Sequence, residues 1–431
     1  MADGMIIFHV VRVFQRQDEF SLRMPPWEAG EGLSASSLQL YVFLESGYGV
    51  LKICLGFPHS RLALPCRGAC LNQHGPEDFS AVLQDGYADL SAGGLLPGPN
   101  SRILVLCHHR FYSSSTEHAI VRQRKPEVAV YVPAFLRDYG QNIVSEAQLK
   151  KLTAQLQSQI KAAGGYPLFL AVHEEGGAYS RVASKLGYPQ VQSAPEVGFT
   201  RMSVNARTAG AQIGAYLTPF GINLDFAPVG DVQCAEDGWI NGRLYGSDPQ
   251  LVSQMAFQMA EGLRSQGIIP CFSHFPGQAS INGNLNNREV VNTRTLDDMR
   301  AGDWATFRLA ASSFAEMIMV SHGTAKAAGD GLPASLSPTV IGTWLRKELG
   351  YTGVVITDSL RMGAITSRFK SGKAAVMALQ AGADLLLLPS DADAAVTAIL
   401  KAVESGELTE ARIDQSVTRV LALKIEKGII R

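Results

Sequence analysis

Short apolar runs alternate with longer amphipathic stretches from about residue 140 to the C-terminus. Six runs have the length and composition of buried strands: Leu168–His173, Ile222–Phe226, Ile268–His274, Met317–His322, Gly353–Asp358 and Asp384–Leu388. The stretches between them carry the helical period, as in Ser145–Ala162, Pro249–Gln266, Leu296–Phe314, Asp393–Ser405 and Thr409–Lys427. This alternation predicts a parallel sheet covered by helices.

Polar side chains stand at or just past the ends of these predicted strands. They include His173, Asp225, His274, His322 and Asp358. An α/β barrel gathers such groups on one rim, whereas a doubly wound sheet concentrates them at a single switch point. We therefore expect an α/β fold, a (β/α)8 TIM-type barrel, incomplete or irregular at its N-terminal units.

Residues 1–138 do not continue this rhythm. They hold Pro25-Pro26, serine clusters and scattered apolar runs, and Val128–Val132 could form a strand. The segment could supply missing barrel strands, form an extension, or be unrelated to the barrel. We treat residues 1–138 as an unassigned N-terminal segment and residues 139–431 as the barrel domain.

The charge balance and the apolar runs reduce the number of functions that this chain could have. The 38 basic and 39 acidic residues give a net charge of -1, so neither a nucleic-acid nor an anionic membrane partner is indicated. No apolar run reaches a membrane-spanning length, and the N-terminus lacks a basic leader, which favours the cytoplasm.

The six cysteines are too few to suggest a disulfide framework. A zinc site is conceivable where several Cys and His residues lie near each other in sequence, namely at Cys54, Cys66, Cys70, Cys107, His108 and His109. Their spacing fits no standard zinc pattern, so free thiols are the preferred interpretation. Since nucleotide-binding loops are also missing from the sequence, we expect no metal and no cofactor.

Six motifs occur in a fixed order along the second part of the chain. They lie at Gly140–Leu149, Val172–Arg181, Asp225–Val232, Arg243–Pro249, Ser273–Gly277 and Thr357–Met362. The last five resemble D-x-E-G-G-x-x-x-R, D-F-x-P-V-x-D-V, R-S-F-G-x-D-P, K-H-F-P-G and T-D-D/S-L-x-M. Together they resemble the barrel domain of family 3 glycoside hydrolases, especially the single-domain β-N-acetylglucosaminidase branch.

The resemblance implies a retaining mechanism, in which a carboxylate attacks the anomeric carbon and a second group moves the proton. Asp358 matches the nucleophile, and Arg181, Arg243 and His274 match residues that hold sugar hydroxyls. The full set of substrate-binding candidates is His173, Arg181, Asp225, Arg243, His274, His322 and Met362.

The motif that resembles the acid/base element is degenerate. In this branch an aspartate and a histidine follow F-P-G in a D-x-H element, but by count Asn284 and Asn286 occupy these two positions. An amide does not titrate and cannot carry a proton. In addition, His173 replaces an aspartate and Ser273 replaces a lysine of the family pattern. Glu174, Glu175 and Glu289 are candidates for a substitute acid.

These residues are compatible with three functions. The first is a glycosidase that hydrolyses β-N-acetylhexosaminides or β-glucosides with Asp358 as nucleophile and with reduced or lost activity. The second is a non-catalytic carbohydrate-binding barrel derived from such an enzyme. The third is a metal-dependent barrel hydrolase that uses His173, His274, His322 and Asp358. A carbohydrate is the expected partner in the first two cases, and the oligomeric state stays open.

Overall fold

The computed structural model describes residues 143–162, 165–234 and 238–430 in full, together with the backbone of strands that precede residue 143. The chain divides into two compact units, Met1–Gly98 and Pro99–Arg431. The cysteines and histidines of the conceivable zinc site lie outside the fully described residues.

The first unit carries two small antiparallel sheets. Val50–Gly56 is the central strand of a three-stranded sheet, with Ile6–His9 on one side and Gln39–Glu45 on the other. Gln15–Arg16 pairs with Glu19–Phe20.

A parallel sheet forms the centre of the second unit. Its longest run contains, in spatial order, Val354–Thr357, Met317–Val320, Ile269–Phe275, Leu224–Asp225, Leu170–Val172 and Ala134–Phe135. A second parallel run contains Leu386–Leu387, Arg102–Cys107 and Val128–Tyr131. A single parallel bridge, between Ile356 and Leu385, connects the two runs. The described strands are almost wholly buried because helices cover the sheet.

All six predicted strands are confirmed; five are shorter than their apolar runs, and Ile269–Phe275 is shifted by one residue from the predicted Ile268–His274. The predicted strand at Val128–Val132 is also confirmed, as Val128–Tyr131. It pairs with Arg102–Cys107 inside the second unit. The domain boundary at residues 138 and 139 stays a prediction. The architecture is a TIM-barrel-like α/β fold, as the alternation of apolar runs and helical stretches predicts.

Helices occupy the intervals between the strands. Between residues 143 and 430, the described α-helices of four or more residues are Glu146–Ala162, Val182–Leu186, Ala194–Phe199, Ser203–Leu217, Pro249–Ser265, Ala305–Ser312, Gly363–Thr366, Ser371–Ala381, Ala392–Glu404 and Glu410–Glu426. Thr339–Glu348 is a wider, π-type helix. A two-stranded parallel pairing of Val291–Asn292 with Thr324–Ala325 lies outside the main sheet. Among the described residues, no helix combines the length and the apolar character needed to cross a membrane.

The predicted helix at Leu296–Phe314 is interrupted. Leu296–Asp298 and Ala305–Ser312 are α-helical, and a π-helical segment, Met299–Asp303, separates them. There the amide of Trp304 reaches back five residues to the carbonyl of Met299, over 2.9 Å. This wider turn places the Trp304 ring in the core against Phe275, where it is fully buried. Burial of a large aromatic ring therefore prevails over regular helix geometry.

The helices Ser203–Leu217 and Pro249–Ser265 pack at very short range. A Cβ atom on Gly210 would lie 2.2 Å from the carbonyl oxygen of Met259, and one on Gly262 would lie 2.2 Å from that of Arg207. Only glycine allows this approach of two backbones. The glycines thus fix how this helix pair covers the sheet.

Candidate active site

Asp358 lies at the end of a central strand, and hydrogen bonds hold both its backbone amide and its carboxylate. Its amide donates to the carbonyl of Val320 over 2.9 Å, which continues the pairing of Val354–Thr357 with Met317–Val320. Its Oδ1 accepts a hydrogen bond from the amide of Ser359 over 2.7 Å. The residue is 8% exposed. One carboxylate oxygen is therefore anchored to the backbone, which fixes the direction of the other.

Three histidines act electrostatically on this carboxylate. Burial raises the pKa of Asp358, but the charges of His322 and His274, the hydrogen bond from Ser359 and the charge of His173 oppose burial and bring the pKa below its ordinary value. The site therefore holds an ionised carboxylate, which a nucleophile requires.

His322 is fully engaged inside the protein. Its Nε2 lies 2.9 Å from the carbonyl oxygen of Ser359, and its Nδ1 lies 2.7 Å from the hydroxyl of Ser335. A carbonyl only accepts, so Nε2 carries the proton. Burial lowers the pKa of His322 and the charge of Asp358 opposes that effect, while Nδ1 stays within hydrogen-bond distance of the serine hydroxyl. His322 thus holds the backbone beside Asp358, and its role as a substrate ligand stays a prediction.

Asp231 orients His274. Its Oδ2 accepts from His274 Nδ1 over 2.7 Å and from the His274 amide over 3.2 Å, while its Oδ1 accepts from the Gln278 amide over 2.6 Å. His274 Nε2 therefore faces the opposite direction, 3.4 Å from an Nη2 atom of Arg243. These contacts make Asp231 a buried organiser of the site.

Arg243 forms a bidentate salt bridge with Glu175. Its Nε and Nη2 donate to the two carboxylate oxygens over 2.8 and 2.7 Å, and both side chains are largely buried. Burial raises the pKa of Glu175, but the charge and hydrogen bonds of Arg243 prevail and lower it. The guanidinium also lies over the ring of Tyr179, 5.4 Å from its centroid. His173 Nδ1 lies 3.8 Å from a carboxylate oxygen of Glu175. We call Arg243, Glu175 and His173 together the charged wall of the site.

Glu174 has a structural role next to this wall. Its carboxylate accepts from the amides of Arg181, Val182 and Ala183 and from the hydroxyl of Tyr216. It therefore closes the first turn of the helix Val182–Leu186. The Arg181 side chain is half-buried, and within the described part of the chain it makes no hydrogen bond or ion pair.

Asp225 is fully buried below the rim. Its Oδ1 accepts from the amide of Glu174 over 2.9 Å, and its Oδ2 has no hydrogen-bond partner. Burial first, and then the charges of Glu174 and Glu175, raise the pKa of Asp225 well above its ordinary value. A neutral carboxyl at this depth supports the strand-end turn, and its role as a substrate ligand stays a prediction.

The loop that contains Asn284 and Asn286 is attached to the segment after Asp358. The amides of Gly363 and Ala364 donate to the carbonyls of Asn286 and Leu285, over 2.8 and 3.0 Å. Within the loop, Asn286 Nδ2 donates to Asn284 Oδ1 over 3.0 Å. Both asparagines are exposed. The structure therefore brings the two degenerate positions together, beside the segment that carries the candidate nucleophile.

A small apolar cluster anchors this loop. Ile281, Leu285 and Val290 pack with Met362 and Ala364, and Trp239 covers the cluster from outside. Met362 is 8% exposed and belongs to this packing. Its role as a substrate ligand stays a prediction.

The three candidates for a substitute acid already form ion pairs or hydrogen bonds with other groups of the protein. Glu289 forms an ion pair with Arg368 and accepts from the hydroxyl of Thr324 over 2.9 Å. Glu175 is paired with Arg243, and Glu174 is bound by three backbone amides. All three carboxylates are paired in this structure, and the role of any of them as a substitute acid stays a prediction.

The metal-dependent alternative finds no support in the arrangement. Among residues 143–162, 165–234 and 238–430, no three Cys, His, Asp or Glu side chains converge as metal ligands. Both ring nitrogens of His322 have protein partners, and His274 directs one nitrogen at Asp231.

Sequence reasoning did not single out Tyr179, Gln278 or Ser335. Tyr179 lies inside one of the matched motifs, so its position between two glycines and Arg181 was the available signal. Gln278 and Ser335 are buried, and their partners are distant in sequence. Nothing in the local pattern of residues marks them.

Comparison with known proteins agrees with this geometry. The family model described as the glycosyl hydrolase family 3 N terminal domain matches residues 120–423. A beta-hexosaminidase, LpqI of Mycobacterium bovis, is 35% identical over 291 residues, which are 65% of this chain and 74% of that protein.

Solved structures of the same family are also similar. A family 3 beta-N-acetylglucosaminidase from a Paenibacillus species has a TM-score of 0.70 and 31% identity, covering 77% of this chain and 62% of its own chain. Mycobacterium tuberculosis LpqI has a TM-score of 0.63 and 31% identity, covering 74% of this chain and 91% of its own. The chain belongs to glycosyl hydrolase family 3.

Proposed function

We propose that the chain is a retaining glycosidase that cleaves β-N-acetylhexosaminides, with Asp358 as its nucleophile. The relatives named beta-hexosaminidase and beta-N-acetylglucosaminidase support the substrate class. The observation that carries the proposal is the state of Asp358: an ionised carboxylate at a strand end, with one oxygen fixed by the Ser359 amide. A β-glucoside is the second substrate to test.

The chemistry is a double displacement. A carboxylate oxygen of Asp358 forms a bond to the anomeric carbon, and the bond to the leaving oxygen breaks with its electron pair. Arg243 and His274 lie in the same electrostatic neighbourhood, and they would hold the sugar hydroxyls together with Arg181. Water then displaces the carboxylate and releases the sugar with its original configuration.

Proton transfer is the step of this mechanism that the chain is least able to assist. Asn284 and Asn286 can donate and accept hydrogen bonds but cannot titrate. General acid–base assistance typically contributes about 10²–10⁴-fold to the rate. We therefore expect slow cleavage of natural glycosides and faster cleavage of aryl glycosides, since a stable phenolate leaves without a proton.

A 5-fluoro N-acetylhexosaminide with an activated leaving group tests the nucleophile, because the fluorine slows release of the covalent intermediate. Mass spectrometry of the digested protein should find one sugar on the peptide that contains Asp358. The Asp358→Asn variant is the control and should remain unlabelled. A label on another carboxylate, or no label under conditions that label a family relative, would exclude this assignment.

One observation favours a second function. The Asn284–Asn286 pair lies at the position expected for the proton carrier, which suits a barrel that binds a carbohydrate without cleaving it. Calorimetric binding of N-acetylglucosamine, with neither turnover nor a covalent adduct on activated substrates, would favour that function.

We also infer that the second unit is a complete eight-stranded barrel. The bridge between Ile356 and Leu385 supports closure on one side. On the other side, only two residues separate Val128–Tyr131 from Ala134–Phe135, and these strands are the adjoining edges of the two parallel runs. Counted as one interrupted strand, they give eight in all, with the irregular point early in the barrel. An experimental structure with those edges apart would contradict closure.

A further inference from the structure

A groove with a volume of about 320 Å³ lies between the helix Ser203–Leu217 and the segment 190–192. Its lining is Gln190, Val191, Gln192, Asn205, Thr208, Ala209 and Gln212. On the helix side, Asn205, Ala209 and Gln212 follow the helical period along one face. None of these residues belongs to the candidate active site.

The lining is polar but carries no charge. Four of its seven side chains are carboxamides and a fifth is a hydroxyl. Within the described part of the chain, the amide groups of Gln190, Gln192, Asn205 and Gln212 make no hydrogen bond to the protein. Each amide both donates and accepts, so the groove offers a row of unused groups of both kinds.

Exposed apolar side chains lie just before the same helix and in its first turn. Phe199, Met202 and Val204 are 91%, 57% and 55% exposed. Val204 lies one turn before Thr208, whose hydroxyl donates to the Val204 carbonyl over 3.0 Å. The groove therefore has apolar surface near one end and amides along its length.

This combination points to a neutral saccharide. Pyranose rings present apolar faces and hydroxyl edges, and an N-acetyl group adds one amide donor and one acceptor. A nucleic acid would require cationic side chains, which the lining lacks. A peptide commonly uses an exposed strand edge or deep apolar pockets, and this groove is formed by a helix and amides.

We propose that the groove is an accessory binding site for a β-linked N-acetylhexosamine chain, separate from the site around Asp358. The choice of this sugar rests on the proposed function. The groove would hold a polymeric substrate on the protein surface while a chain end reaches the rim of the barrel.

The backbone on one side of the groove is firmly attached. The carbonyl of Val191 accepts from the Gly177 amide over 2.8 Å. A Cβ atom on Gly176 would lie 2.5 Å from the carbonyl oxygen of Gln192. This close contact keeps the segment in place, so that ordering of the backbone adds little to the cost of binding.

The test uses the full chain and a β-1,4-linked tetramer of N-acetylglucosamine. The variant Asn205→Ala/Gln212→Ala removes two groove amides, and Gln250→Ala, an exposed amide outside the groove, is the matched control. Each variant also carries Asp358→Asn so that the ligand stays intact. Since a lost neutral hydrogen bond is worth about two- to tenfold in affinity, we expect about tenfold weaker tetramer binding at the groove and no change in the control.

Hydrogen–deuterium exchange locates the ligand. The tetramer should protect residues 190–192 and 205–212 in addition to the region around Asp358. Three outcomes would each overturn the proposal. The tetramer protects only the region around Asp358, the double variant binds the tetramer as tightly as the control does, or the groove binds a peptide and not the saccharide. Hydrolysis of a small aryl glycoside by the chain with Asp358 intact tests the proposed function separately, since that substrate does not need the groove.

Discussion

The side-chain amide of Asn286 donates to the side-chain oxygen of Asn284 over 3.0 Å. This is the relation that a histidine and an orienting aspartate would have in the same loop. The loop is tied through the carbonyls of Leu285 and Asn286 to Gly363 and Ala364, so its position does not depend on a titratable pair. Under the proposed function, this loop holds the positions for proton transfer without titrating side chains at Asn284 and Asn286.

The double variant Asn284→Asp/Asn286→His should therefore restore proton transfer. For a natural disaccharide we expect kcat to rise by about 10²–10⁴-fold, whereas cleavage of a dinitrophenyl glycoside should change far less in its first step. Steady-state kinetics on the two substrates measure the difference. Asn287→His places an imidazole on the neighbouring exposed residue and should have no effect. An equal gain on both substrates would contradict the assignment.

The pH dependence of the unmodified chain should have one limb. The carboxylate of Asp358 must be ionised, and since its pKa lies below the ordinary value of 3.8, activity should decline only as the pH falls below about 4. No titrating acid is present to produce a decline at high pH. The rate of aryl glycoside cleavage from about pH 3 to 9 measures this. The double variant should gain an alkaline limb near 6.5, the ordinary pKa of histidine. An alkaline limb in the unmodified chain would reveal an unrecognised acid.

The sequence predicted these strands because four of the six apolar runs end at a polar residue, namely His173, His274, His322 or Asp358, and each of these residues lies within two residues of the end of its observed strand. It could not separate the roles of Glu174 and Glu175, which are adjacent in the chain. Glu174 binds the amides of Arg181, Val182 and Ala183, whereas Glu175 pairs with Arg243, 68 residues away. Only the folded structure shows that Glu174 caps a helix whereas Glu175 belongs to the charged wall.

His322 shows the same limit. Its place after a strand predicts a position on the rim, and the structure adds that its two nitrogens contact Ser335 and the carbonyl of Ser359. These partners lie 13 and 37 residues away in the sequence. A side chain's position on the rim is readable from the sequence, but the direction of its hydrogen bonds is not.

Glu175→Gln should weaken both the fold and the binding of substrate. The amide oxygen can accept from Arg243 but brings no charge, so a largely buried guanidinium remains uncompensated. We expect the free energy of unfolding to fall by about 3 kcal/mol and KM for an aryl glycoside to rise. Glu348→Gln is the control, because its ion pair with Arg300 is partly exposed and should be worth less than about 1 kcal/mol. Equal losses in urea unfolding would show that the Glu175 pair is no more important than a surface pair.

Asp225→Asn should make the protein's stability less dependent on pH. The pKa of Asp225 is raised well above 3.8 in the folded chain, so the folded state holds a proton that the unfolded state releases. Stability from this group is complete below pH 3.8 and is lost as the pH rises towards the folded pKa, by about 1.4 kcal/mol per pH unit. Asparagine keeps the oxygen that accepts from the Glu174 amide and does not titrate. Thermal unfolding from pH 4 to 8 should therefore show the variant gaining stability relative to the unmodified chain at each step upward. A constant difference across this range would mean that Asp225 is ionised in both states.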